Sequence, residues 1–260
     1  MIGVFDSGMG GLTAIKQIVK MMPNEDIVYF GDTGRVPYGT RSKDTIIKYA
    51  CQDVRFLLSK NVDAILIACG TVSANAISVL REQFDVPIFG VVEAAADKAV
   101  RVTKNKTVGI IGTNATVKSG AYTSHIKALD QNIKTVSTPC PLFVPLVENG
   151  FTDANNEITR LTCEHYLSDI KASGADTLIL GCTHYPIIAP VISKVLPCVE
   201  LVNTGAEAAV RLFEEVKPMG GTGKIEYYVS DDVASFKAAA ELFLEMPVGE
   251  NVFKVDIEKY

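Results

Sequence analysis

Two cysteines stand at the ends of matching apolar runs. Val62-Asp63-Ala64-Ile65-Leu66-Ile67-Ala68-Cys69-Gly70-Thr71 and Ala175-Asp176-Thr177-Leu178-Ile179-Leu180-Gly181-Cys182-Thr183-His184 superpose with the cysteines 113 positions apart, which sets Asp63 on Asp176 and Leu66 on Ile179. A thiol has an ordinary pKa of about 8.5 and its surroundings lower that value readily, so it can serve as an acid or a base near neutral pH. Two thiols facing one cleft suit moving a proton from one face of a carbon to the other. His184, two residues past Cys182, can exchange a proton with that thiol. A single cysteine after a buried strand would read as a small core hydrophobe; the duplication favours chemistry. Cys51 and Cys163 fall in helical patterns, Cys140 lies between Pro139 and Pro141, and Cys198 follows Pro197, so these four read as structural. His125 and His165, on helical stretches, read the same way. A zinc site made of Cys69, Cys182 and His184 would need two distant segments to converge without a local chelate, and no metal is expected.

The elements that must position these groups are legible in the hydrophobic pattern. Each cysteine run is short, unalternating and rich in Ile and Leu, as buried parallel strands are. A thiol just past such a strand lies where open α/β sheets bind ligands. Strands are expected at 1–5, 26–31, 63–68, 87–91, 107–112, 132–137, 175–180, 198–202 and 225–230. Helices are expected at 12–21, 41–60, 71–84, 92–103, 115–130, 153–173, 186–195, 204–216 and 231–245, with Ser42 and Asp153 as N-caps. The alternation predicts an α/β protein with mainly parallel sheets. A second echo, Ile2-Gly3-Val4-Phe5-Asp6-Ser7 on Val108-Gly109-Ile110-Ile111-Gly112-Thr113, is offset by 106 residues and predicts two pseudo-symmetric halves. The boundary is expected near Val92–Val102, the second half ending about Val202–Thr204 and 205–260 forming a return segment.

Two further loops are candidates for binding. Asp6-Ser7-Gly8-Met9-Gly10-Gly11 joins a strand to a helix, and its glycines let backbone amides approach an anion. The dinucleotide pattern G-x-G-x-x-G fails there, because Thr13 occupies the third glycine position. Asp6 is placed to manage a substrate amine or a thiol proton, or to cap the helix. Asp32-Thr33-Gly34-Arg35-Val36-Pro37-Tyr38-Gly39-Thr40 is a loop stiffened by Pro37.

Composition narrows the classes. At 260 residues and 48% hydrophobic the chain can bury a sizeable core, and its net charge of −5 comes with no basic stripe, so nucleic acid is not an expected partner. No run approaches the length of a membrane span, and no charged leader precedes Ile2. Six dispersed cysteines without a C-x-x-C pair predict free thiols in a reducing compartment, hence a cytoplasmic protein.

Taken together, Gly3-Val4-Phe5-Asp6-Ser7-Gly8-Met9-Gly10-Gly11, Val36-Pro37-Tyr38-Gly39, Ala68-Cys69-Gly70-Thr71 and Leu180-Gly181-Cys182-Thr183-His184-Tyr185-Pro186 resemble the glutamate racemases of the aspartate/glutamate racemase superfamily, in order and spacing, over essentially the whole chain. Gly112-Thr113-Asn114-Ala115-Thr116 and Phe143-Val144-Pro145-Leu146-Val147-Glu148 look like family segments as well. The resemblance implies cofactor-independent interconversion of L- and D-glutamate, with D-glutamate supplied to peptidoglycan. It implies two doubly wound domains, 1–96 plus 205–260 and 97–204, with the active site in the cleft between them, and a homodimer. By position, Cys69 and Cys182 would be the two acid/base thiols, Asp6 would assist Cys69, and His184 and Glu148 would assist Cys182. Ser7, Tyr38, Gly39, Gly70, Thr71, Thr113, Thr116 and Thr183 would bind substrate through hydroxyls and backbone amides, together with Asp6 and His184. The family usually has Cys-Asn-Thr where this chain has Cys69-Gly70-Thr71; the glycine leaves its amide free and is expected to make room for water or a neighbouring side chain. Two other readings stay open: a racemase or isomerase of aspartate, hydantoins or maleate, and a non-catalytic amino-acid-binding module.

Overall fold

Ten strands and the helices between them build two sheets in the computed structural model, which describes residues 1–216, 220–246 and 248–260. Residues 217–219 and 247, within the expected return segment 205–260, lie outside the described residues. The strands are β1 (Ile2–Asp6), β2 (Ile27–Gly31), β3 (Ala64–Ile67), β4 (Ile88–Gly90), β5 (Thr107–Gly112), β6 (Lys134–Pro139), β7 (Thr177–Leu180), β8 (Glu200–Asn203), β9 (Ile225–Val229) and β10 (Val252–Lys254). The larger sheet runs β10-β9-β2-β1-β3-β4 and the smaller β6-β5-β7-β8. Every adjacent pair is parallel. Helices therefore cover both faces, and β1, β2, β3 and β7 are buried along their whole length.

The sequence echoes are reproduced in the topology. The order β2-β1-β3-β4 in one sheet repeats as β6-β5-β7-β8 in the other. Register agrees too: Val4 pairs with Leu66, and their counterparts Ile110 and Ile179 pair with each other. In each sheet the strand that carries a cysteine loop at its end lies beside the first strand of its half. The strand order reverses there, which opens a crevice at the strands' carboxyl ends.

Several expected elements are altered, each for a local reason. The expected helix 115–130 breaks at Gly120, which takes the left-handed conformation (φ 67°), giving Asn114–Ser119 and Ala121–Leu129. The expected 71–84 helix divides at Ala76, and 153–173 divides at Leu167. Ser42 caps its helix by accepting from the Thr45 amide. Asp153 does not cap; it accepts from the Asn155 amide in the preceding turn, and the cap is Asn156, which accepts from Thr159. The strand β10 was not expected, being three residues long with one buried side chain.

The helix Val91–Val102 runs unbroken through residues 96 and 97, where the expected halves meet. Val92, Ala95, Ala96 and Ala99 pack with Val108, Ile110 and Ile179 of the smaller sheet, while Val91 and Ala94 belong to the core shared with β1 and β3. Beyond it, β9 and β10 extend the larger sheet from β2, and the helix Thr204–Glu215 packs on the helix Leu12–Met21. Among the described residues no helix is long and apolar enough to cross a membrane.

Leu66, with no exposed surface, packs in the shared core among Val4, Ile15 and Ala68. Leu66→Ala is expected to destabilise the protein by about 2–5 kcal/mol, from lost apolar burial plus an unfilled cavity. Urea unfolding at constant m-value measures it.

Candidate active site

Loops leaving β1, β3, β5 and β7 converge on one cavity of about 290 Å³. That volume suits a small metabolite, being at the low end of ligand pockets. Ser7, Tyr38, Gly39, Cys69, Gly70, Thr71, Thr113, Glu148, Cys182, Thr183 and His184 all reach its wall. Asp6 and Thr116 lie immediately behind it, each 1% exposed.

Cys69 occupies the N-cap position of the helix Gly70–Asn75, and its Sγ donates to Ser7 Oγ at 3.4 Å. Burial, reinforced by the negative charge of Asp6, pushes the Cys69 thiol up to about 12 against the opposing pull of Ser7. Its resting form is the neutral thiol. Asp6 Oδ2 accepts from the Gly8 amide at 3.0 Å, whereas Oδ1 is buried with no hydrogen-bond partner. Burial raises the Asp6 carboxyl, only partly offset by His184 and by the amides of Gly8 and Gly11.

Cys182 has a contrasting neighbour. His184 Nδ1 lies 3.9 Å from Cys182 Sγ, and Nε2 lies 3.1 Å from Glu148 Oε1. Burial by itself would depress the His184 imidazolium, but the Cys182 sulfur and the Glu148 carboxylate bracketing the ring outweigh it and raise the group to about 10. The ring is held edge-on by Phe243, with centroids 5.3 Å apart. It also abuts Gly10, where a Cβ would lie 2.6 Å from His184 Nδ1, so only glycine permits the approach. Thr13 Oγ1 donates to the Thr183 carbonyl at 3.2 Å, tying the β1 loop to the Cys182 loop.

Three hydroxyls span the two sheets. Thr113 Oγ1 lies 2.9 Å from Thr71 Oγ1 and 3.0 Å from Thr116 Oγ1, and the triangle closes at 3.5 Å. Thr113 also caps the helix Asn114–Ser119 by accepting from the Thr116 amide. These groups can reorient toward a bound carboxylate.

Two expectations need correcting. The Tyr38 hydroxyl does not face the cavity; it donates to the buried carboxylates of Asp32 and Asp53. Arg35 holds the same pair, through Nε to Asp32 at 2.6 Å and a terminal nitrogen to Asp53 at 3.0 Å. Tyr38 thus lines the cavity without offering its hydroxyl and anchors the loop behind it. No space for water or a neighbouring side chain is left at Gly70 either, because the Gly181 carbonyl fills it. Sequence reasoning missed the Asp32–Arg35–Asp53 cluster, although Asp53 falls on the buried helical stripe with Ile46, Ala50 and Leu57. Cys140, read as structural, reaches the cavity wall with its Sγ 3.6 Å from the Thr138 carbonyl. Among the described residues no group of three His, Cys, Asp or Glu side chains is placed to hold a metal ion.

The sequence profile of the Asp/Glu/hydantoin racemase family matches residues 7–212. A glutamate racemase of Persephonella marina is 45% identical over 241 residues, covering 93% of this chain and 92% of that protein. One from Geobacter metallireducens is 42% identical over 264 residues, covering 99% and 97%. The crystal structure of glutamate racemase from Francisella tularensis in complex with D-glutamate superposes with a TM-score of 0.91 at 39% identity, covering 100% of this chain and 98% of that one. Profile, sequence identity and superposition agree over nearly the full length, and the chain belongs to the Asp/Glu/hydantoin racemase family.

Proposed function

We propose that this protein interconverts L- and D-glutamate without a cofactor, using Cys69 and Cys182 as opposed acid and base. The observation that carries the reading is the meeting of both thiols in one cavity, each from the loop after an equivalent strand. The cavity lies between two domains, 1–96 plus 205–260 and 97–204.

The reaction balances within the pair. One thiolate takes the α-proton, leaving an electron pair on the α-carbon that is delocalised into the adjoining carboxylate. The opposing thiol gives its proton to the other face, and the enzyme ends with the two protonation states exchanged. Amides and hydroxyls from the Ser7, Thr71, Thr113 and Thr183 loops stabilise the developing charge inside the cavity.

The unequal surroundings divide the labour. Cys182 has the His184 imidazolium beside it to carry a proton, and Cys69, whose thiol is pushed up by burial, is ready as the acid. For the opposite enantiomer, Cys69 must lose its proton, and the buried unpartnered Oδ1 of Asp6 is the available acceptor nearby. His184, backed by Glu148, returns a proton to Cys182. The product D-glutamate supplies peptidoglycan, and the working form is a cytoplasmic homodimer.

Purified protein mixed with L-glutamate in deuterium oxide tests the reading. The circular dichroism signal should decay to zero, deuterium should appear at the α-carbon of the product, and chelators should not slow the decay. L-aspartate should racemise far more slowly. No decay with glutamate, or decay only after a metal or pyridoxal compound is added, overturns the proposal.

A further inference from the structure

Residues 36–40 form one wall of the cavity, and two buried carboxylates hold that wall from behind. Asp53 stands on the helix Lys43–Leu58, outside the cavity wall, with no exposed surface. Its Oδ1 accepts from Arg35 at 3.0 Å and its Oδ2 from the Tyr38 hydroxyl at 3.3 Å. Arg35 and Tyr38 also both donate to Asp32 Oδ2, so Val36-Pro37 between them is gripped at both ends by the same two carboxylates. We propose that Asp53 is a positioning residue for substrate: through Arg35 and Tyr38 it holds the 36–40 wall where a bound amino acid needs it.

The clamp is tied on every side. All three nitrogens of the Arg35 guanidinium are engaged, the third with Gln52 at 2.6 Å and Glu258 at 3.3 Å, and the group lies 4.2 Å over the Tyr49 ring. The return segment closes the far side, where Ser230 Oγ donates to Asp32 Oδ1 at 2.7 Å and accepts from the Gly34 amide at 2.8 Å. A planar guanidinium between carboxylates fixes direction as well as distance, which apolar packing does not. At the other end of the segment the turn Tyr38–Thr40 meets Thr113 of the opposite half, where a Cβ at Gly39 would lie 2.7 Å from Thr113 Cβ. Gly39 has no side chain to reach across that contact, so the seat of the turn depends on where Tyr38 is held.

This inference rests on the reading of the cavity as a glutamate site. The 36–40 wall offers no acid or base to the α-carbon. It faces ground state and transition state alike, so its displacement removes binding common to both and shows in KM rather than in kcat. Removing the Asp53 carboxylate strands no charge, because Arg35 keeps Asp32 at 2.6 Å and the buried pair is then balanced. The fold is therefore expected to survive the change.

Asp53→Ala should raise KM for L- and D-glutamate by about tenfold and change kcat by less than about threefold. Calorimetric titration with D-glutamate should show the same weakening. A simple loss of folded protein would instead lower the apparent kcat and leave KM where it was. Tyr38→Phe, which deletes only the hydroxyl held by the carboxylates, should also raise KM. The double variant should fall short of the product of the two single effects, because both changes release one clamp. Parent-like KM and affinity in Asp53→Ala overturn the proposal, as does a fall in kcat alone or a fully multiplicative double variant. If Asp53→Ala does not fold, Tyr38→Phe decides, a raised KM supporting the clamp and a parent-like KM overturning it. A parent that binds glutamate without racemising it would end the two-thiol reading and leave the affinities to judge the clamp. A parent that does neither overturns the proposed function and this inference with it.

Discussion

On the two-thiol mechanism proposed above, Cys69→Ala and Cys182→Ala should each lose racemisation by at least about a thousandfold, because each removes an acid/base group that no neighbour can replace. Both cysteines are almost fully buried, at 4% and 7% exposure, so each truncation leaves only a small void and costs about 1 kcal/mol of stability. The informative result is what survives. With Cys182 absent, Cys69 still faces the α-hydrogen of one enantiomer and can exchange it with solvent without inversion. With Cys69 absent, Cys182 does the same for the other enantiomer, with His184 beside it to pass the proton on. Proton magnetic resonance of L- and D-glutamate in deuterium oxide reads both at once. Exchange of the same enantiomer by both variants would place the sulfurs on one side of the substrate and end the two-base assignment.

The information for that arrangement is distributed unevenly along the chain. The strands before Cys69 and Cys182 announce themselves within windows of about ten residues, since burial on both faces demands continuous Ile and Leu. Duplication made the partnership of the two thiols legible, because it matched loop to loop across 113 residues. The family resemblance added Glu148, which no spacing connects to His184 and which lies 36 residues away. Contacts formed only when separate segments pack together were illegible. The Tyr38 hydroxyl has acceptors in Asp32 and Asp53 that depend on the helix Lys43–Leu58 packing under its loop. The effect of Gly70 depends on where Gly181 sits, a distance that no pattern within either loop encodes. Helix breaks divide the same way: Gly120 carries its reason in its residue type, and Ala76, at φ −121°, does not.

His184→Asn is the variant that separates the charge on the ring from its shape. Its loss at neutral pH should be about a hundredfold, smaller than for either cysteine, because Cys182 remains but without its proton-transfer partner. The groups facing the ring are Cys182 at Nδ1, Glu148 at Nε2, the Thr183 hydroxyl and the more distant charge of Asp6. Together these hold the imidazolium to about 10 against an ordinary 6.5. A raised folded-state value stabilises the fold fully below the unfolded value and stops doing so as the folded group titrates. The stabilisation is therefore complete below about pH 6.5 and fades up to about pH 10. The gap in thermal midpoint between parent and His184→Asn should be widest at pH 6 and nearly closed just above pH 10. Racemisation by the parent should fall along an alkaline limb near pH 10 that the variant lacks. A midpoint gap that stays constant or widens with pH would mean that the ring is neutral in the folded protein. His184 could then not serve as the proton donor to Cys182 that the proposed mechanism assigns it.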